Sequence, residues 1–197
     1  LLGMETPLSI TQFLWINLIM DTLAALAFGG EPALSRYMDE PPKRRDENII
    51  SDKMASAIGV GSLWTFVLSL FFLLTPFVHE HFRAALDNHY LLTGYFTFFV
   101  FIAVFNAFNA RTDRMNLFDN IGGNKGFLNI MVLIVVVQII MTYLGGNVLR
   151  CYGLTGAEWI FLLALAVTII PVDLMRKLVT EGGIKSWQRC KRDRGQI

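Results

Sequence analysis

Five apolar runs, each about as long as a membrane is thick, leave this chain few ways to fold. They cover roughly residues 7–28, 54–78, 90–109, 127–144 and 155–174. At ~1.5 Å of rise per residue, a run such as 7–28 makes ~33 Å of helix, enough to cross a hydrocarbon core of ~30 Å. Lipid offers no hydrogen bonds to a backbone, so a single segment crosses it as a helix, which satisfies its own N–H and C=O groups. The pattern predicts an all-α, polytopic membrane bundle of five helices, a single membrane domain over residues 1–197 in contact with the lipid bilayer. A content of 54 % hydrophobic residues, including 16 Phe, is too apolar for an ordinary soluble domain. A net charge of only +1 gives no global basic surface, so no nucleic-acid partner is expected.

Local signals mark the ends of these runs. Thr6 can cap the first helix, Pro7 suits its first position, and Gly29-Gly30 ends it. Ser51 or Asp52 can cap the second, where Gly59 and Gly61 would allow close helix approach. The third is dense in Phe, an aromatic stripe suited to lipid and neighbouring helices. It ends in Asn106-Ala107-Phe108-Asn109-Ala110-Arg111, whose amides local hydrogen bonding can explain. The fourth has one polar interruption, Gln138. Thr155 and Glu158 form a capping-box pattern at the start of the fifth. Pro171 predicts a kink near its end, and Asp173 is spaced to pair with Arg176 or Lys177. The connector from Glu31 to Asp52, broken by Pro41-Pro42, reads equally as a solvated linker or as a docking loop for another part of the protein. His79, His81 and His89 share the next connector and read as solvated side chains, not as a metal site.

The cations are split unevenly among the connectors. The Glu31–Lys53 connector, the 111–126 connector and the tail hold fifteen of the 17 Lys and Arg, and only Arg83 and Arg150 lie in the other two. By the positive-inside rule the tail and the two larger connectors face the cytoplasm, and the first helix enters from outside. Cys151 and Cys190 then lie on opposite sides of the membrane, which predicts no disulfide between them. A first helix entering from outside, in a chain beginning Leu1-Leu2-Gly3 with no signal-like start, leads us to expect at least one preceding span in a longer protein.

The first run holds an amide, Asn17, and a carboxylate, Asp21, four positions apart near its middle. At ~100° per residue both fall on one helix face, one turn apart. A carboxylate at that depth costs roughly 2.5–3.5 kcal/mol or more to insert, so it is rarely there without a partner or a task. Carboxylate and amide oxygens suit a hard cation such as calcium. The competing reading is a buried polar pair that only joins helices.

These residues also carry a family resemblance. Pro7-Leu8-Ser9 and Gln12-Phe13-Leu14-Trp15-Ile16-Asn17-Leu18-Ile19-Met20-Asp21 resemble the sixth transmembrane helix of P-type calcium-transporting ATPases. The likeness continues through Glu31-Pro32, Met38, Pro41-Pro42 and Ile49-Ile50-Ser51, and Asn106-Ala107-Phe108-Asn109-Ala110-Arg111 is similar to the end of the eighth helix. It implies that the chain corresponds to helices six to ten, with Asn17 and Asp21 binding calcium as the transported ion. Met20 and Ala103 stand where the two-site, sarcoplasmic-reticulum-type branch has Thr and Glu ligands, so the resemblance favours the plasma-membrane type and one ion per cycle, with Thr22 pointing the same way. No Asp-Lys-Thr-Gly-Thr motif is present. ATP and magnesium would act only in the intact pump, through an amino-terminal half bearing helices one to five and the phosphorylation and nucleotide domains. This chain alone would be inactive. Alternatives are a pump for manganese or another cation, and a non-enzymatic truncated membrane scaffold. A heavy-metal pump is disfavoured because no Cys or His lies in any of the five runs. The short connectors suggest a multi-pass protein of a bacterial plasma membrane, with its carboxy-terminus in the cytoplasm.

Overall fold

A computed structural model describes residues 6–30, 50–85, 87–112, 117 and 124–180. Five helical spans long and apolar enough to cross a membrane are present among them: Ile10–Gly29, Asp52–Leu74, His89–Arg111, Lys125–Leu144 and Gly156–Thr180. The Pro41-Pro42 loop, Cys190 and most of the basic tail lie outside the described residues.

The third span is the centre of the bundle. Of its membrane-crossing window 61 % is buried, against 17–28 % for the others, and it packs on the second, fourth and fifth spans. The aromatic stripe explains this position, and it faces protein more than lipid. Phe96 and Phe98 are fully buried, the Phe98 ring stacks on Phe72 of the second span at 5.1 Å, and Phe101 meets Trp159 edge-on at 5.6 Å. Gly94 belongs to the same packing. A Cβ there would sit 2.2 Å from Cε1 of the buried Phe82, which is possible only without a side chain. A Cβ at Gly61 would meet the Asn106 amide at an ordinary 3.8 Å, and one at Gly59 would meet nothing within 4 Å, so neither glycine is required by close packing among the described residues.

Several ends differ from the sequence reading. The first span is capped by Ser9, not Thr6: its Oγ accepts from the Gln12 N–H, and the Gln12 side chain accepts from the Ser9 N–H. The second span stops at Thr75, which is extended as a residue before proline tends to be, and Pro76 opens a separate short helix, Pro76–His79. Ser51 caps the second span, and Thr155 with Glu158 forms the expected capping box on the fifth. The fifth span runs on to Thr180, with an interruption at Thr168. Pro171 accounts for it, because its ring crowds the carbonyl four residues back and offers that carbonyl no N–H.

The end of the bundle near Arg83 and Arg150 is tied by one ion pair that the sequence does not advertise. Glu158, 1 % exposed, accepts from the Arg83 backbone N–H at 3.0 Å and from its guanidinium at 3.2 and 3.3 Å. The same guanidinium donates to the Gly153 carbonyl at 2.9 Å and lies over the Tyr90 ring. At the opposite end Asp173 pairs with both Arg176 and Lys177, as its spacing suggests. Lys177 also donates to the carbonyls of Asn109 and Thr112, a cation placed where the third helix ends.

Candidate cation site on the first span

The first span is two α-helical pieces, Ile10–Leu14 and Asp21–Gly29, joined by a π-helical turn from Trp15 to Met20. Within it bonding slips by one residue, so the Asp21 N–H donates to the carbonyl of Ile16, five back. Such turns are rare and recur at functional sites. Nothing in Trp15-Ile16-Asn17-Leu18-Ile19-Met20 announces one, since the run reads as ordinary helix.

One side of this span is fixed to the bundle. Gln12, 1 % exposed, donates to the Leu149 carbonyl at 2.7 Å in the connector between the fourth and fifth spans. Trp15, Ile16, Met20 and Ala27 follow on the buried side, and Phe28 packs on Phe127 of the fourth span. Gln12 escaped the sequence reading because its partner is a distant backbone carbonyl. Its polarity inside an apolar run was the only signal.

Asn17 and Asp21 lie on the other side. Both are exposed, together with Phe13, Leu14 and Leu18, on the face turned away from the other described spans. Neither makes a hydrogen bond or ion pair with another span among the described residues. Among the described residues they therefore do not join helices. Thr22, next to Asp21, donates its hydroxyl back to the Leu18 carbonyl and occupies one acceptor of the π-helical turn.

The structure places the other candidates elsewhere. Met20 is 6 % exposed and packs into the core, away from Asn17 and Asp21, and Ala103 packs partly buried in the third span. The three histidines are separated among different partners. His79 bonds the Leu73 carbonyl, His81 bonds that of Phe77 and stacks on Phe161, and His89 packs between Tyr90 and Tyr152. Cys151 is 1 % exposed beneath Gln12, and its Sγ donates to the Leu149 carbonyl. Burial pushes its thiol up to about 11, against a smaller opposing effect of the Gln12 amide. The connector between the fourth and fifth spans thus holds an inert thiol, not one open to reagents.

Residues 5–179 match the family described as cation transporting ATPase, C-terminus. Among curated proteins, the chain is 32 % identical over 185 residues to calcium-transporting ATPase PAT1 of Dictyostelium discoideum, covering 88 % of this chain and 16 % of that protein. It is 33 % identical to plasma membrane-type calcium-transporting ATPase 8 of Arabidopsis thaliana, over 89 % of the chain and 17 % of the relative. It is 32 % identical to the human plasma membrane calcium-transporting ATPase 3, over 83 % and 14 %. The chain therefore spans about a sixth of the length of these relatives.

Proposed function

Because this chain belongs to the C-terminal family of cation-transporting ATPases, we propose that it is the ion-binding membrane part of an ATP-driven pump that exports calcium from the cytoplasm. Asn17 and Asp21 supply ligands for the transported ion. The observation that carries this reading is a carboxylate and an amide one turn apart, midway along a membrane-crossing helix, on a face that no other span of the chain covers.

Facing lipid, Asp21 would carry the full insertion penalty of roughly 2.5–3.5 kcal/mol or more. Further protein covering that face removes the penalty and brings more oxygens, which calcium requires, since it takes six to eight. The covering protein is the amino-terminal half of the pump, which also holds the phosphorylated Asp and the nucleotide site. ATP and magnesium act there. Asn17 and Asp21 orient the ion, and Asp21 supplies its formal charge.

One site per cycle follows from the donors. Met20 offers a soft thioether and is packed inside, and Ala103 offers no donor at all. The distribution of Lys and Arg supports a cytoplasmic carboxy-terminus, and the short connectors support a bacterial plasma membrane as its location. The test is ion-dependent phosphorylation of the full-length protein across calcium, manganese, sodium and protons. Phosphorylation at micromolar calcium that Asp21→Asn abolishes is the expected result. Phosphorylation driven by manganese alone would move the pump to another cation.

A further inference from the structure

Between the start of the second span, the end of the third and the last turns of the fifth lies a cavity of about 270 Å³. It is remote from Asn17 and Asp21 in the chain and is lined by none of the first span. Its charges do not suit a metal ion. Asp173, the one carboxylate of the lining, already faces Arg176 at 2.6 Å and, behind the lining, Lys177 at 3.0 Å, and Lys53 is the second cation of the lining. Two cations against one anion in the lining leave a surplus that favours a negatively charged guest. The first turn of the 23-residue second helix, whose capping residue Ser51 also lines the cavity, adds its positive end to that surplus.

The floor asks for something else. Asn109 is 3 % exposed, donates to the Ile169 carbonyl at 3.1 Å, and leaves its Oδ1 without a hydrogen-bond donor among the described residues. A buried acceptor left unmet costs about 1–3 kcal/mol, so a guest carrying N–H groups gains by reaching it. The Asn106 amide lines the same space. The guest must therefore combine an anion with an N–H donor. The third requirement is position. Met54 and Ile58, which form the apolar wall, are 50 % and 55 % exposed on the second span, the outer face of a membrane helix. A soluble zwitterion has no use for that wall, but acyl chains do.

We propose that this cavity binds the headgroup of a primary-amine phospholipid of the phosphatidylethanolamine class. The phosphate lies toward Lys53, Arg176 and Ser51, the ammonium toward Asn106 and Asn109, and the acyl chains run down past Met54 and Ile58. Phosphatidylcholine carries the same phosphate but no N–H. Phosphatidylglycerol carries the phosphate without an amine. The two therefore separate the requirements.

The experiment is native mass spectrometry of the full-length protein after incubation with equal amounts of the three lipids. Phosphatidylethanolamine should be retained about tenfold over phosphatidylcholine, the factor carried by one charge-assisted hydrogen bond. Asn109→Leu should erase that preference, whereas Lys53→Gln, which removes a partner of the phosphate common to both lipids, should lower the retention of both without changing their ratio. Should Asn109→Leu fail to fold, because Ile169 loses its donor, Asn106→Leu takes its place. Equal retention of the three lipids, a preference that survives both Asn109→Leu and Asn106→Leu, or retention that Lys53→Gln leaves unchanged overturns the proposal. Preference for phosphatidylglycerol would make this a site for the anion alone and also overturns it. Displacement by millimolar soluble phosphoethanolamine would refute the lipid assignment in favour of a free headgroup. None of these outcomes bears on calcium-dependent phosphorylation, so this proposal and the calcium reading fail separately.

Discussion

Replacing Asp21 by Asn keeps one carbonyl oxygen and removes the full negative charge, which is what a hard divalent ion gains most from. In the full-length pump it should abolish phosphorylation at micromolar calcium, measured with radiolabelled ATP, while protein yield is maintained. Asn17→Ala should weaken calcium affinity by about tenfold with little effect on folding, because it takes one oxygen from six to eight and puts a strong helix former in its place. Wild-type affinity in both variants would return the pair to a structural role. Cys151 makes a different residue-scale prediction. Its thiol should resist a membrane-impermeant maleimide in the native protein and react on unfolding, because it is buried and held protonated. Its proton is held above the ordinary value of 9.0, so its contribution to stability is full below about 9 and is lost as the pH rises toward about 11. Native labelling at pH 7.5 would contradict this geometry.

At the scale of elements, the tie between Arg83 and Glu158 joins the loop after the second span to the first turn of the fifth. Arg83→Ala strips a buried carboxylate of several donors and should cost about 1–3 kcal/mol in thermal unfolding assays, partly restored by adding Glu158→Gln. Gly94→Ala should cost a similar ~1–3 kcal/mol through overpacking against Phe82. Run length and hydropathy made the five spans legible in the sequence because a membrane segment must satisfy its own backbone. The Thr155–Glu158 box and the pairing of Asp173 were legible too, because three- and four-residue spacings are local. The Arg83–Glu158 tie and the Gln12 anchor were not, since each joins residues brought together only by packing. The π-helical turn was invisible for a further reason. It is a slip of bonding register, and side-chain identity records such slips poorly. The residue types and spacing of the candidate pair were legible, but the exposure of the face it occupies was not, because the turn and the packing of Gln12, Trp15 and Met20 decide that.

For the whole molecule the reading requires one calcium per phosphorylatable enzyme at saturation, with a Hill coefficient near one. Two ions bound cooperatively would mean that oxygens from the covering half replace those missing at Met20 and Ala103. The same arrangement constrains how such a pump can move. The first span is pinned near its start by Gln12 to the connector around Leu149 and lies along the fourth span as far as Phe28, while the face bearing Asn17 and Asp21 is left exposed among the described residues. On the function proposed above, it serves as the doorpost, and the door hangs on the covering half of the pump. Spin labels on the first and fourth spans should therefore hold a constant separation through the transport cycle, while a label facing Asp21 from the covering half changes its distance at each step.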